Sequence, residues 1–497
     1  MSSCGAFARL GRPLSGAMLG LALVACGGDD GDRGPQGEAG PPPIVGERTV
    51  APEEVNPKIT DVRGPSPAVV EFQVTDENGF AVRGIEEGVE FTVNKLVPGA
   101  DGETNVWHSY TRADDDGVAN AQAGTYSQGE LVDNGDGTYT FTFFKPDGQP
   151  ADFEDLEAIS GVPFESELTH RVGIELRDVV ILGEEVPAGS NAVYDFQPST
   201  GATTGIMKRA IAETESCQTC HGPEAFSFHG GPRKQVEYCV TCHQKGSIDE
   251  ETDNTMDFRV MIHKIHTGEN LNNLPYEFCG FACEAPFIGG GPGQPLDDFS
   301  HVAFPQDTRN CTTCHDPENP DTPQASNVFD RPTAAVCASC HDDLAFDDTG
   351  LTNANGNHEV AGAQPNSNCV NCHTSGGLSV ENAHKIPGQV AAARFEYNIL
   401  DIAQTSPGSS PMITFSITDP TNGDAPYDLA NDPEMDPANG ASVNMDIAWP
   451  TSDYTNVNAD TGSVIGTPPS RPISISLLQG SPVIVDNGDG TYTMDAA

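Results

Sequence analysis

CQTCH, residues 217–221, opens a segment in which one five-residue word returns four more times. It recurs as CVTCH at 239–243, CTTCH at 311–315, CASCH at 337–341 and CVNCH at 369–373. Five copies of Cys-x-x-Cys-His are far beyond chance, and one chemistry uses all three residues at this spacing. Two thiols add across the vinyl groups of a haem, and the adjacent imidazole becomes the proximal ligand of the iron. Zinc knuckles also pair CxxC, but they need no histidine after every second cysteine. A disulfide framework, the usual fate of exported cysteines, is the other rival. The words predict five covalent c-type haems, held by Cys217 and Cys220, Cys239 and Cys242, Cys311 and Cys314, Cys337 and Cys340, and Cys369 and Cys372. The proximal ligands are then His221, His243, His315, His341 and His373.

Each iron has a sixth position, for which histidine is the commonest ligand in multihaem chains. Outside the five words the segment holds His229, His263, His266, His301, His358 and His384, six candidates for five irons. In VMIHKIHTG, residues 260–268, His263 and His266 stand three apart, on one helical face but a turn apart. That spacing suits two neighbouring haems held close, as electron hopping requires, better than one shared iron. His301, in the strand-like FSHVAFP of 299–305, is a poor clamp and the candidate to be spare. Met256 and Met261 are alternative axial ligands, and the choice matters because bis-His ligation lowers the potential relative to His/Met. His108 and His170 lie in β-like runs outside this segment and are read as structural.

Working outward, the flanks alternate with a strand period. Val70, Phe72 and Val74, then Val89, Phe91 and Val93, Tyr139, Phe141 and Phe143, and Val172, Ile174 and Leu176 mark strands separated by turn signals. The fold class expected is multidomain. A β-sandwich or split-barrel domain (49–200) is followed by a haem-packed, mostly α or irregular pentahaem domain (201–390) and a second, incomplete β-domain (391–497). The second β-domain echoes the first: FQVTD (72–76) reappears as FSITD (415–419), and VDNGDGTYT (132–140) as 485–493. Strand-like sequence runs on for many residues after the first VDNGDGTYT, so the second copy is expected to be cut short. DNGDG brushes against a calcium-loop pattern but departs from it at the third position and at the closing Glu. A hairpin turn is the preferred reading, with calcium as the alternative cofactor.

The chain has 497 residues and a formal net charge of −49. That surface repels nucleic acid and anionic lipid and favours cationic partners, metal ions or positively charged solids. Residues 1–25 read as an export signal, with Arg9 and Arg12 before an apolar run too short to span a bilayer. LVAC, 23–26, resembles a bacterial lipoprotein box, with Cys26 lipidated and Gly27 suiting passage to the outer membrane. Residues 26–48 form a Gly/Pro-rich tether. Cys279 and Cys283 are expected to pair as a disulfide in an oxidising compartment. No Ser-His-Asp grouping and no phosphate-cradling glycine loop stands out, so no catalytic residue is assigned.

LTHRVGIEL (168–176), DFQP (195–198), FHGG (228–231), MIHKIHTG (261–268), FPQDTRNCTTCH (304–315), CASCHDD (337–343) and AHK (383–385) carry a resemblance beyond the motif itself. With these words the chain resembles the OmcA/MtrC family of outer-membrane decahaem c-type cytochromes. The resemblance implies alternating β-barrel-like and pentahaem domains, ten haems at full length, and lipid anchoring on the outside of the cell. It also implies electron transfer through a porin–cytochrome complex and other multihaem cytochromes to ferric minerals, soluble metals or flavins. By this likeness the distal ligands are His229, His263, His266, His358 and His384. One pentahaem domain where the family has two is the departure.

Two function classes remain. One is an electron conduit with every iron six-coordinate, which could also act as a terminal metal reductase. The other is a catalytic pentahaem reductase of a small oxyanion at one open iron. The surplus of histidines and the negative charge favour the conduit.

Overall fold

The computed structural model describes residues 50–495 and Pro43, apart from 65, 112–123, 250–251, 280–295, 345, 347–357, 359–364, 407–408, 448–472 and 479–483. The signal, the lipidation call at Cys26 and nearly all of the tether lie outside the described residues.

The first β unit contains β1 (Asn56–Arg63), β2 (Val69–Thr75), β3 (Val89–Val97), β4 (Val106–Ser109), β5 (Gly129–Asp133) and β6 (Thr138–Phe143). A short helix, α1 (Phe153–Ser160), separates these from β7 (Thr169–Leu176), the small hairpin β8 (Val180–Ile181) and β9 (Glu184–Glu185), and β10 (Asn191–Phe196). They build two antiparallel sheets of order β1-β2-β6-β5 and β10-β7-β3-β4. The alternating residues Val70, Phe72, Val74, Phe91, Val93, Tyr139, Phe141 and Phe143 are buried between the sheets. Phe91 of β3 meets Phe141 and Phe143 of β6 at ring-centroid distances of 4.6 and 5.4 Å. Each such ring contributes about 2–3 kcal/mol over an exposed one. Edge strands β1 and β10 come together, so the two sheets close on one side as a split barrel.

One strand departs from simple alternation. Every residue of β7 is buried, although only Val172, Ile174 and Leu176 face the inter-sheet core. Its other face is covered by the segment that follows. Arg171 Nη1 donates to Glu237 O at 2.8 Å, and Glu175 Oε2 accepts from Arg233 Nε at 2.7 Å and from Tyr238 OH at 2.9 Å. Glu175 is fully buried; burial would raise its pKa, but Arg233 and Arg177 hold it below the usual range. The strand is therefore a partition between two units, polar on one face because those polar groups are paired.

The middle segment has short helices joined by turns: α2 (Thr214–His221), α3 (Val236–Cys239), α4 (Phe258–Thr267), α5 (Asn327–Asp330), α6 (Ala334–Cys340), α7 (Asn366–His373), α8 (Val380–Ala383) and α9 (Pro387–Ala392). A two-stranded ribbon, β11 (Glu277–Phe278) and β12 (Asp297–Asp298), follows α4. The largest apolar cluster described in this segment is small, Met261, Leu271, Tyr276 and Phe278. Helices this short need tertiary partners to persist.

The sequence repeat is a topological repeat. The last unit contains β13 (Glu396–Ala403), β14 (Met412–Asp419), β15 (Ala425–Pro426), β16 (Asn444–Ile447), β17 (Ile473–Ser476), β18 (Ile484–Asp486) and β19 (Tyr492–Asp495). Its sheet runs β13-β14-β19-β18, the counterpart of β1-β2-β6-β5. The register shifts between Ile59 and Asp61 in β1, and again between Ile399 and Asp401 in β13. Phe72 pairs with Tyr139 and Phe415 with Tyr492, at ring distances of 5.3 and 5.8 Å.

The DNGDG segments are hairpin turns. Asp133 Oδ1 accepts from Gly135 N and Asp136 Oδ1 from Thr138 N, and Asp486 and Asp489 repeat both contacts. These carboxylate oxygens are spent on the turn itself, and no cluster of His, Cys, Asp or Glu fit to hold a metal ion occurs among the described residues.

Candidate haem-binding sites

Each attachment word sits at a helical turn, which brings its cysteines and histidine to one side. Words one and five occupy α2 and α7, and word four spans α6 and its C-cap His341. Word two begins in α3, and word three folds as a single 3₁₀ turn, Cys311–Thr313. None of the ten motif cysteines is paired in a disulfide, which sets the disulfide-framework reading aside. Burial pushes the Cys217 and Cys239 thiols up to about 12. Cys279 is disulfide-bonded; its expected partner, Cys283, lies outside the described residues.

Each proximal histidine faces one other histidine. The ring centroids of His221 and His266 are 6.0 Å apart, His243 and His229 5.8 Å, and His315 and His263 6.1 Å. His341 and His384 are 6.0 Å apart, and His373 and His358 6.1 Å. An imidazole nitrogen binds a first-row metal at about 2 Å, so two rings across one iron have centroids about 6 Å apart.

In every pair at least one ring has its tautomer decided by the backbone. Nδ1–H of His243 donates to Met256 O, that of His315 to Ile211 O, and that of His373 to Leu378 O. His266 and His384 donate in the same way to Ile262 O and Val380 O. A carbonyl only accepts, so Nδ1 carries the proton and Nε2 keeps its lone pair for iron. Burial also holds His229, His243 and His263 down at about 4, which keeps them neutral. The donor set fits five bis-His haems.

Local sequence explains how the distal rings are presented. Asp257 caps α4 by accepting from Arg259 N, and Gly268 ends it where a Cβ would lie 2.1 Å from Val302 O. Between those stops His263 and His266 lie one turn apart and point to different words, His263 to the third and His266 to the first. His229 has φ +53°, which the turn Phe228–Gly231 sustains through Gly231 N donating to Phe228 O. Aromatic walls that sequence reasoning did not assign stand beside the imidazoles: Phe226 at His221, Phe258 at His243, Phe304 at His266 and Phe346 at His358.

The remaining candidates fall elsewhere. His301 lies in a turn rather than the strand expected, with Val302 N donating to Phe299 O; it is 88% exposed, with Nε2 3.6 Å from Asp298, and among the described residues it faces no haem word. Met261 is buried in the small apolar cluster and Met256 packs against it, so both methionines serve packing rather than ligation. His170 is buried in the first β unit between Leu168 O and Tyr110 OH.

The words also have neighbours. Cys217 lies within electrostatic reach of Cys314, and Cys239 within reach of Cys217. Thr267 Oγ1, at the end of α4, lies 3.3 Å from Cys340 Sγ. A small cavity is lined by Cys337 of word four together with Cys369, His373 and His358.

A model described as outer membrane cytochrome MtrC/MtrF-like, domains II/IV, matches residues 209–385, and an OmcA-like N-terminal domain model matches 109–203. Multiheme cytochrome MtrC of Shewanella baltica (strain OS185) is 30% identical over 310 residues, covering 62% of this chain and 38% of that protein. The crystal structure of the outer membrane decaheme cytochrome OmcA aligns with a TM-score of 0.52 at 23% identity, covering 89% of this chain and 63% of that one. MtrC from Shewanella baltica OS185 aligns at 0.50 and 24%, covering 89% and 62%. The chain thus spans less than two thirds of each of these relatives. With two adjoining family models that together match more than half of the chain, and a curated relative beside them, the chain belongs to the OmcA/MtrC family of outer-membrane multihaem cytochromes.

Proposed function

We propose that this chain carries electrons at the outer cell surface through five bis-His c-type haems and delivers them to extracellular acceptors. The observation that carries the reading is the set of five facing histidine pairs, each joining one proximal residue (His221, His243, His315, His341 or His373) to one distal residue (His266, His229, His263, His384 or His358). A haem in such a pair supplies one-electron chemistry at low potential. The paired histidines would hold each haem and leave no ligand position for a small molecule, and the fold keeps neighbouring sites in contact.

Neighbour relations among the words support the spatial order second, first, third, fourth, fifth. α4 joins the first and third sites, and its C-terminal end touches the fourth word at Cys340. The first site then has neighbours on both sides, and the fifth is an end.

The acceptors proposed are ferric minerals, soluble metals or flavins, and the partners are a porin–cytochrome complex and other multihaem cytochromes. A net charge of −49 suits cationic and oxide surfaces. Cys26 is the proposed lipid anchor; among the described residues no helix is long and apolar enough to cross a membrane.

Electron paramagnetic resonance of the air-oxidised protein, with haem counted on the same sample, tests the reading. Five low-spin haems are expected. A high-spin signal worth one haem would overturn the fully capped assignment and open the way to oxyanion chemistry at that iron.

A further inference from the structure

We propose that the turn Asp101–Gly102–Glu103, in the β3–β4 connection of the first β unit, is a positioning device for the haem segment, setting the relative placement of the helices that carry the distal and attachment residues. The inference rests on the bis-His reading above.

Three observations converge on this turn. Asp101 Oδ2 accepts from Asn366 N at 3.2 Å, and its Oδ1 accepts from Ser367 Oγ at 2.7 Å. Helix α7, which carries the whole fifth word, has Pro365 at its N-cap and no capping side chain of its own. Its N-terminal charge partner is therefore supplied from 265 residues away. Gly102 lies so close that an added Cβ would be 2.8 Å from Ser367 Cα and N, so the backbones touch. Both Asp101 and Gly102 have positive φ, +53° and +81°, in a turn that Glu103 N closes by donating to Ala100 O at 3.0 Å.

Glu103 does the same for other parts of the segment. Its side chain is only 11% exposed. Oε1 accepts from Lys245 Nζ at 2.6 Å and from Asn366 Nδ2 at 3.2 Å, while Oε2 accepts from Arg259 Nη1 at 3.1 Å. Lys245 follows the second word by two residues. Arg259 lies in the first turn of α4, four residues before His263, and is also held by Asp257 at 2.7 Å. Asn366 Oδ1 in turn accepts from the N–H of Ala334 at 2.9 Å, the first residue of α6, three residues before the fourth word begins at Cys337.

One turn of the β unit thus touches the structure around words two, four and five and the helix that serves words one and three. A largely buried carboxylate bound to two cations and an amide is a rigid fixture, chiefly through Arg259, because releasing that arm leaves two charges poorly solvated, whereas Lys245 is 53% exposed. Haem potentials respond to nearby charge, burial and ligand orientation, and a supporting shell a fraction of an ångström loose is felt at the site. Glu103 and Asp101 touch no iron ligand and act through α4 and α7.

The test compares the full haem-loaded chain with Glu103→Gln, Arg259→Gln and the double variant. Readouts are haem content, the low-spin resonance lines, a spectroscopic redox titration and the rate of electron redistribution after partial photoreduction. Glu103→Gln is expected to keep five low-spin haems, shift the titration and slow redistribution several-fold. Arg259→Gln should reproduce the change, and the double variant should add little to either. Asp101→Asn, which leaves Glu103 in place, should confine its shift to one haem, and it keeps the test open should Glu103→Gln load haem poorly. Unchanged lines, titration and rates would overturn the proposal. So would a lower melting temperature or lower haem content with the loaded protein otherwise unchanged, since that is a purely structural role. A high-spin haem already present in the parent would count against the ligand reading, whereas the clamp is judged on the difference between parent and variants.

Discussion

His170 illustrates how completely a single environment sets a residue's role. Its Nδ1–H donates to Leu168 O, its Nε2 accepts from Tyr110 OH at 3.0 Å, and burial lowers its pKa from 6.5 to about 4. Above about pH 6.5 the imidazole is neutral in folded and unfolded chains alike, and its contribution is intact. Between about 6.5 and 4 only the unfolded chain takes up the proton, so stability falls, by about 3 kcal/mol across that window. His170→Gln keeps an acceptor for Tyr110 and should flatten the acid limb of the melting curve of the first β unit; an unaltered limb would assign the effect to other groups. The ligand histidines give a second prediction at this scale. His263→Ala should produce one high-spin haem per chain while His301→Ala produces none, and equal spectra from the two variants would sink the assignment. Sequence singles out His301 for a strand-like context, but the segment folds as a turn closed by Val302 N donating to Phe299 O, and what removes His301 from the sites is its exposure. The pairing of His263 with the third word and His266 with the first could not be read, because helical spacing says that two rings share a face and not what each ring meets.

At the scale of elements, the repeated sheet separates what alternation says from what burial decides. β1 and β13 share a register shift and the same partners, yet Ile59 is 5% exposed and Ile399 62%. In the first unit β10 comes against β1; among the described residues β13 has no such strand, and Tyr397, Ile399 and Ile402 are all exposed. Ile59→Ala is therefore expected to cost about 2–4 kcal/mol, and Ile399→Ala less than about 0.5 kcal/mol. Chemical denaturation followed by circular dichroism measures both, and equal losses would mean that β13 is covered in solution. The repeat was legible because Phe72, Tyr139, Phe415 and Tyr492 stand in near-identical words, and identical words in strands pair alike. The exposure was not, because a strand's hydrophobic face is a demand for a partner and carries no record of whether one is present.

At the scale of the whole molecule, β7 joins the two chemistries of the chain. Gly173 allows the haem segment to lie on the sheet, since an added Cβ would be 2.5 Å from Thr92 Oγ1 and 2.9 Å from the Tyr238 ring. Around it Arg171 lies over the Trp107 ring at 4.4 Å and binds Asp195, and Gln244 reaches Asn94 at 2.6 Å and Ser109 N at 2.9 Å. These contacts make the first β unit and the second haem word one structure. Gly173→Val should force them apart at a cost of about 1–3 kcal/mol and accelerate proteolysis in the connection between β10 and α2. A cleavage rate equal to the parent's would mean that the interface is not what protects that connection.

Sequence by itself determined the attachment chemistry of this protein and its strand-rich flanks. Cys-x-x-Cys-His is a covalent spacing closed within five residues, and alternation is a period of two, so both are complete in a short window. It also limited the candidate axial ligands to a small set. Tertiary structure alone decided which histidine faces which word, why β7 is buried on both faces, and that a turn at 101–103 reaches helices more than a hundred residues away. Those outcomes depend on side chains meeting across long stretches of chain, where the free energy lies in packing and in paired buried charge rather than in any local pattern.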